Sequence, residues 1–225
     1  YETAYVLKSP DTAYTEKLPE YFIEAFEKQG GKVLGFSDYT LGQQNFGAVV
    51  TRIEKLNPPP DFIETAAYEP DFPAFIKQLR GAGVRTPILG ADAIDTPTTF
   101  ALGDVVNGVV FTTAGFAKPG NPMDDFNKKY AEKYGEEPGT IYAPIGYDLG
   151  IVIEEAVKAT GGDTSPQALR DAIASLEDVQ GVTSTITYKG TNGMPIRNSY
   201  LVKIVDGQRE LLKVIEPHPE EVPEP

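Results

Sequence analysis

Four side chains with chemistry to offer fall just past the predicted ends of short apolar runs. They are Tyr14 after residues 4–7, Tyr68 and Glu69 after 62–66, and Asp92, with Ala93 beside it, after 87–89. Two phenols and a short carboxylate suit a small zwitterion: the carboxylate pairs with an ammonium, and the phenols supply hydrogen bonds and an apolar wall. In an open parallel sheet, ligands sit beyond the carboxyl ends of the strands, near a topological switch point. All three loops belong to that edge. Each residue also has a plain structural reading. Asp92 can cap the short helix that follows, Tyr68 can pack on a neighbouring loop, and Tyr14 can staple a helix entry.

Other reactive chemistry is sparse. The one histidine, His218, lies between two prolines in the tail, where a solvent-exposed ring is the expectation. With no cysteine in 225 residues, disulfides, thiolate metal sites and cysteine nucleophiles are excluded. No G-x-S-x-G elbow, H-E-x-x-H pair, Walker loop or G-x-G-x-x-G fingerprint occurs. Gly81-Ala82-Gly83 follows a helix and precedes a strand, so it reads as a helix stop. Counts alone leave paired-carboxylate hydrolysis open, but Glu136-Glu137 and Glu220-Glu221 read as solvated loops. The formal net charge of −13 argues against nucleic acid, whose phosphates need a concentrated basic surface. No apolar run approaches the ~18 residues of a membrane helix. A binder without cofactor or catalysis is the expectation.

The elements that must position these residues follow from periodicity. Residues 4–7, 32–36, 62–66, 87–89 and 108–112 read as strands. Between them lie helical stripes: Leu18, Phe22, Ala25 and Phe26; then Phe46, Val49, Val50 and Ile53; then Phe72, Phe75, Ile76 and Leu79. Gly30-Gly31, the triple proline 58–60, and Gly81 with Gly83 stop them. A brief helix is expected over 98–102. Strands alternating with helices imply parallel pairing, right-handed crossovers and an α/β, doubly wound sheet. After residue 113 the pattern changes. Gly115, Pro119, Gly120 and Pro122 form a linker-like stretch, and helices are expected over 123–134, 142–160 and 166–176. Three helices without a sheet need one to cover. Residues 181–189, 200–205 and 211–215 read as strands, the last two joined by the hairpin signal Asp206-Gly207.

The ordered series resembles the type I periplasmic binding proteins, and within them the leucine/isoleucine/valine-binding branch. The run 4–7, then Tyr14, then Phe26-Glu27-Lys28-Gln29-Gly30-Gly31-Lys32-Val33 carries it. So do Asn45-Phe46, Asp61-Phe62-Ile63, Tyr68-Glu69-Pro70, the helix 75–83, Gly108-Val109-Val110 and Tyr147-Asp148. The resemblance implies two α/β lobes joined by three crossover strands, with an amino acid held in the cleft. It implies that Asp92 binds the ligand's ammonium, where many relatives carry glutamate. Tyr14 and Tyr68 would line the pocket, with Glu69 and Ala93 beside them. Residues 1–113 and 198–215 would form the ligand-binding lobe. Residues 117–196 would be part of the other lobe, lacking its first ~120 residues, a usual size for one domain. Residues 216–225 would be a flexible tail. The implied function is the substrate-binding component of an ABC importer, extracytoplasmic (periplasmic or a cell-surface lipoprotein), closing on an aliphatic amino acid such as leucine and presenting it to a membrane permease. A ligand-sensing receptor domain of the same fold is the alternative.

Overall fold

The computed structural model describes residues 1–218. The expected mobile tail lies, from residue 219 on, outside the described residues. The chain forms two compact units, Tyr1–Thr112 with Val202–Glu210, and Thr113–Leu201 with the chain from Leu211 on.

In the first unit β1 (Thr3–Lys8), β2 (Lys32–Asp38), β3 (Phe62–Thr65), β4 (Ile88–Gly90) and β5 (Val110–Thr113) alternate with α1 (Ala13–Lys28), α2 (Gly47–Glu54), α3 (Asp71–Gly81) and α4 (Pro97–Phe100). The sheet order is β2-β1-β3-β4-β5, followed by β8 (Ser199–Val205) and β9 (Gln208–Ile215). The first five strands pair in parallel. This is a doubly wound α/β fold, as the periodicity implies. The path from β1 to β2 runs one way along the sheet and the path from β2 to β3 runs back. Right-handed crossovers therefore put α1 on one face and α2 on the other, and the switch point falls between β1 and β3.

Burial on both faces explains why β1 is an unbroken apolar run: Ala4, Tyr5, Val6 and Leu7 are all buried. The Tyr5 phenol meets Ser37 Oγ at 2.6 Å, so its polar tip is satisfied inside. In α3, Phe72, Phe75, Ile76 and Leu79 are fully buried, each stabilising the fold by roughly 1.5–3 kcal/mol. Phe46 stacks edge-on against Phe75 at 5.6 Å and docks α2 beside α3. On α1, Phe22 and Phe26 close on Phe62 of β3 at 5.7 and 5.5 Å. The buried face of α1 differs from the expected stripe: Leu18 and Ala25 face outward, while Thr15 and Pro19 are buried. The hairpin between β8 and β9 turns at Asp206 and Gly207, whose φ values of 50° and 75° are the left-handed pair a two-residue hairpin requires.

The second unit contains α5 (Pro122–Tyr134), α6 (Tyr142–Ala159) and α7 (Pro166–Ser175). Val152 of α6 forms a small core with Val179 and Ile186, flanked by Ile173, Leu176 and Tyr188. The strand expected over 181–189 is instead part of a hairpin. β6 (Val179–Gln180) pairs antiparallel with β7 (Thr185–Ile186), and Gly181–Ser184 make the turn. Asp148, buried on α6, organises that turn. It accepts from Val182 N at 2.5 Å, Thr183 N at 3.3 Å and the Thr183 hydroxyl. Gly181 must be glycine because a Cβ there would lie 2.7 Å from Asp148 Oδ1 and 2.8 Å from the Ser184 carbonyl. A groove of about 610 Å³ runs between α5 and α6, lined by Phe126, Tyr130, Tyr134 and Tyr147. Leu149 and Ile153 of α6 are also exposed.

Candidate functional site

The end of β1 is shaped by one imino acid. Pro19 has no N–H, so within α1 the Thr15 carbonyl lacks its usual partner four residues on. That carbonyl accepts from Ser9 N at 3.1 Å, and the Thr15 hydroxyl returns a bond to the Ser9 carbonyl at 2.9 Å. Thr12 caps the helix, its hydroxyl accepting from Thr15 N at 3.3 Å. The first turn of α1 is thus pinned to the end of β1, and Tyr14 rides on it. At the end of β3, the buried Thr65 hydroxyl donates to the Leu7 carbonyl at 2.9 Å and accepts from Ala67 N at 3.0 Å. This ties the two strands that flank the switch point and sets the start of the loop carrying Tyr68 and Glu69.

After β4 the chain makes a 3-10 turn, Asp92–Ile94. Gly90 permits it, because a Cβ there would lie 2.6 Å from Ile94 Cδ1. Thr96 then caps α4, accepting from Thr99 N at 3.2 Å.

These loops bring Tyr14, Tyr68, Asp92 and Ala93 together. The Tyr14 phenol donates to Asp92 Oδ1 at 2.6 Å and accepts from Ala93 N at 3.1 Å. The Tyr68 ring meets the Tyr14 ring edge-on at 6.0 Å. Glu69 turns elsewhere, accepting from the Thr96 hydroxyl. Asp92 caps nothing: α4 is capped by Thr96, and the Asp92 carboxylate goes to Tyr14. Among the described residues Asp92 Oδ2 has no hydrogen-bond partner, and all these side chains are half-buried. The arrangement offers a cation one oriented carboxylate oxygen beside two aromatic walls.

Sequence reasoning missed Ser9, Thr15, Pro19 and Thr65, which shape the site without facing it. It also missed Tyr39, whose buried phenol is held above its ordinary titration range by burial and then by the Asp71 carboxylate, with Tyr68 adding to it. Tyr39 therefore stays a neutral hydroxyl. No three of His, Cys, Asp or Glu gather where they could hold a metal ion among the described residues.

Residues 2–209 match the family profile described as periplasmic binding protein. A leucine-binding protein of Thermotoga maritima superposes with a TM-score of 0.85 at 26% identity, over 96% of this chain and 61% of that one. A branched-chain amino acid transporter substrate-binding protein of Streptococcus pneumoniae, solved in complex with isoleucine, shares the fold. Its TM-score is 0.82 at 20% identity, over 96% of this chain and 60% of that one. The Leu/Ile/Val-binding protein homolog 3 of Brucella melitensis is 22% identical over 197 residues, 87% of this chain and 52% of that protein. The chain thus spans roughly half to three fifths of the length of these relatives. With a profile match over nearly its whole length, the chain belongs to the periplasmic binding protein family.

Proposed function

We propose that this chain is the larger part of the substrate-binding component of an ABC importer, and that its ligand is an aliphatic amino acid such as leucine. The observation that carries this reading is Asp92 at the switch-point edge. Tyr14 and Ala93 fix its Oδ1 side, while Oδ2 is left for an ammonium. Tyr14 and Tyr68 serve as walls for the ligand's apolar side chain. Glu69, anchored on Thr96, is held in the same loop as Tyr68 but turned away from Asp92. A carboxylate and two phenols suit the retention of a ligand. An isoleucine complex in a protein of the same fold supports the ligand class.

In this reading the first unit is the ligand-binding lobe. The second is part of a lobe completed by a segment of ~120 residues, the usual size of one domain. The aromatic groove between α5 and α6 and the exposed Leu149 and Ile153 are the surfaces that such a segment covers. The complete receptor works outside the cytoplasm, closes on the amino acid by hinge motion and hands it to a membrane permease. The test is intact mass together with a thermal-shift screen of the twenty amino acids. A companion segment with an upward shift from an aliphatic amino acid supports the reading. A complete receptor that no amino acid stabilises overturns the ligand class.

A further inference from the structure

We infer that Arg209, which binds Asp95 three residues beyond Asp92, is a positioning residue for the ligand-binding turn. Arg209 lies on β9, 114 residues from its partner Asp95. Its Nε donates to Asp95 Oδ1 at 2.7 Å, and Nη2 reaches the same oxygen at 2.5 Å. Its guanidinium carbon sits 4.2 Å from the centre of the Phe100 ring. The Asp95 side chain is only 5% exposed, so this ion pair is sheltered on its acidic side, unlike the exposed lysine pairs of α6.

Asp95 is the residue that closes the turn. Its N–H donates to the Asp92 carbonyl at 3.0 Å, and Thr96 N follows with a bond to the Ile94 carbonyl at 2.9 Å. The turn is therefore held from three sides. Ile94 is fully buried against Gly90, Thr96 is committed to capping α4, and Asp95 is clamped by an arginine from the last hairpin. The hairpin itself is fixed. Gly108 N donates to the Ile204 carbonyl, and Ile204 N to the Val109 carbonyl, both at 2.8 Å, while Asp206 N donates to Asn107 Oδ1 at 3.1 Å. Asp92 and Ala93 occupy the first two positions of the clamped turn. Their contacts with Tyr14 need them held to within a few tenths of an ångström, and a planar guanidinium stacked on a ring fixes direction as well as charge. Lysine can supply the charge alone.

The inference rests on the proposed ligand reading for its consequence, but the clamp is measurable without ligand. Hydrogen exchange on the intact chain reads the amides of Ala93, bonded to Tyr14 Oη, and Asp95, bonded to the Asp92 carbonyl. In Arg209→Ala and in Asp95→Asn, their exchange is expected to rise by about tenfold or more, while that of Val6 and Ile63 in the sheet stays unchanged. Arg209→Lys recovers only part of the protection. In the complete receptor, leucine affinity falls about tenfold in Arg209→Ala at a temperature where the variant is still folded, and less in Arg209→Lys. Exchange at Ala93 within twofold of the parent in both variants overturns the inference. A parent receptor that binds no amino acid overturns the ligand reading instead, and leaves the exchange result to decide the clamp.

Discussion

The Thr183 hydroxyl donates to the buried Asp148 carboxylate and accepts in turn from Arg197 Nη2 at 2.6 Å. Arg197 Nη2 also donates to the Ala114 carbonyl at 3.1 Å, and the Tyr200 phenol donates to the Thr183 carbonyl at 3.0 Å. One threonine thus links α6, the β6–β7 turn and two stretches that are distant in sequence. Such a relay is cooperative, and a partly broken one leaves buried groups unsatisfied.

Thr183→Val keeps the shape and removes the relay. Asp148 loses one of its three donors, and Arg197 faces a methyl group. The expected cost is about 1–3 kcal/mol, measured by denaturant unfolding, with Thr183→Ser recovering most of it. A loss below about 0.5 kcal/mol contradicts the relay.

Glu64 sits in mid-strand on β3 with its Oε2 unpartnered, and burial pushes its carboxyl up to about 8 from the ordinary 4.5. The unfolded chain releases this proton near 4.5, while the folded chain holds it until about 8. Stability from this group is therefore complete below the lower value and is lost as pH rises through the higher one, at up to about 1.4 kcal/mol per pH unit between them. Urea midpoints measured from pH 5 to 9 are expected to decline in the parent. The decline flattens in Glu64→Gln. Parallel profiles for the two proteins would contradict the assignment.

Much of this architecture was legible because its signals are local. The central strand β1 is apolar on both faces, and the stripes of α2 and α3 repeat at helical spacing with glycine or proline at their ends. What failed was carried by residues that hydrophobicity does not register. α1 turns Thr15 and Pro19 inward because a missing N–H and a hydroxyl make the link to Ser9. The turn inside 181–189 is set by Asp148, more than thirty residues earlier, and alternation in Thr183-Ser184-Thr185 gives no sign of it. For the site, the topological rule brought the loops of Tyr14, Tyr68 and Asp92 to one edge. The bond between Tyr14 and Asp92, across 78 residues, and that between Arg209 and Asp95 depend on side-chain direction and could not be read from spacing.

Tyr14→Phe removes the donor that orients Asp92 and the acceptor for Ala93 N while keeping the aromatic wall. Ligand affinity is expected to fall about tenfold, with the apolar side-chain preference retained, because a hydrogen bond to a charged group contributes about 1.5–3 kcal/mol. Competition among leucine, isoleucine, valine and alanine measures both effects. An unchanged affinity places the ligand away from Tyr14.

The most direct test is calorimetric titration of leucine into the complete receptor, parent against Asp92→Ala. If Asp92 holds the ammonium, the variant loses about 100-fold or more in affinity, the scale of a charge-assisted bond left unmade in a sheltered site, while its melting temperature without ligand stays near the parent's. Binding of leucine by Asp92→Ala within twofold of the parent would contradict the account.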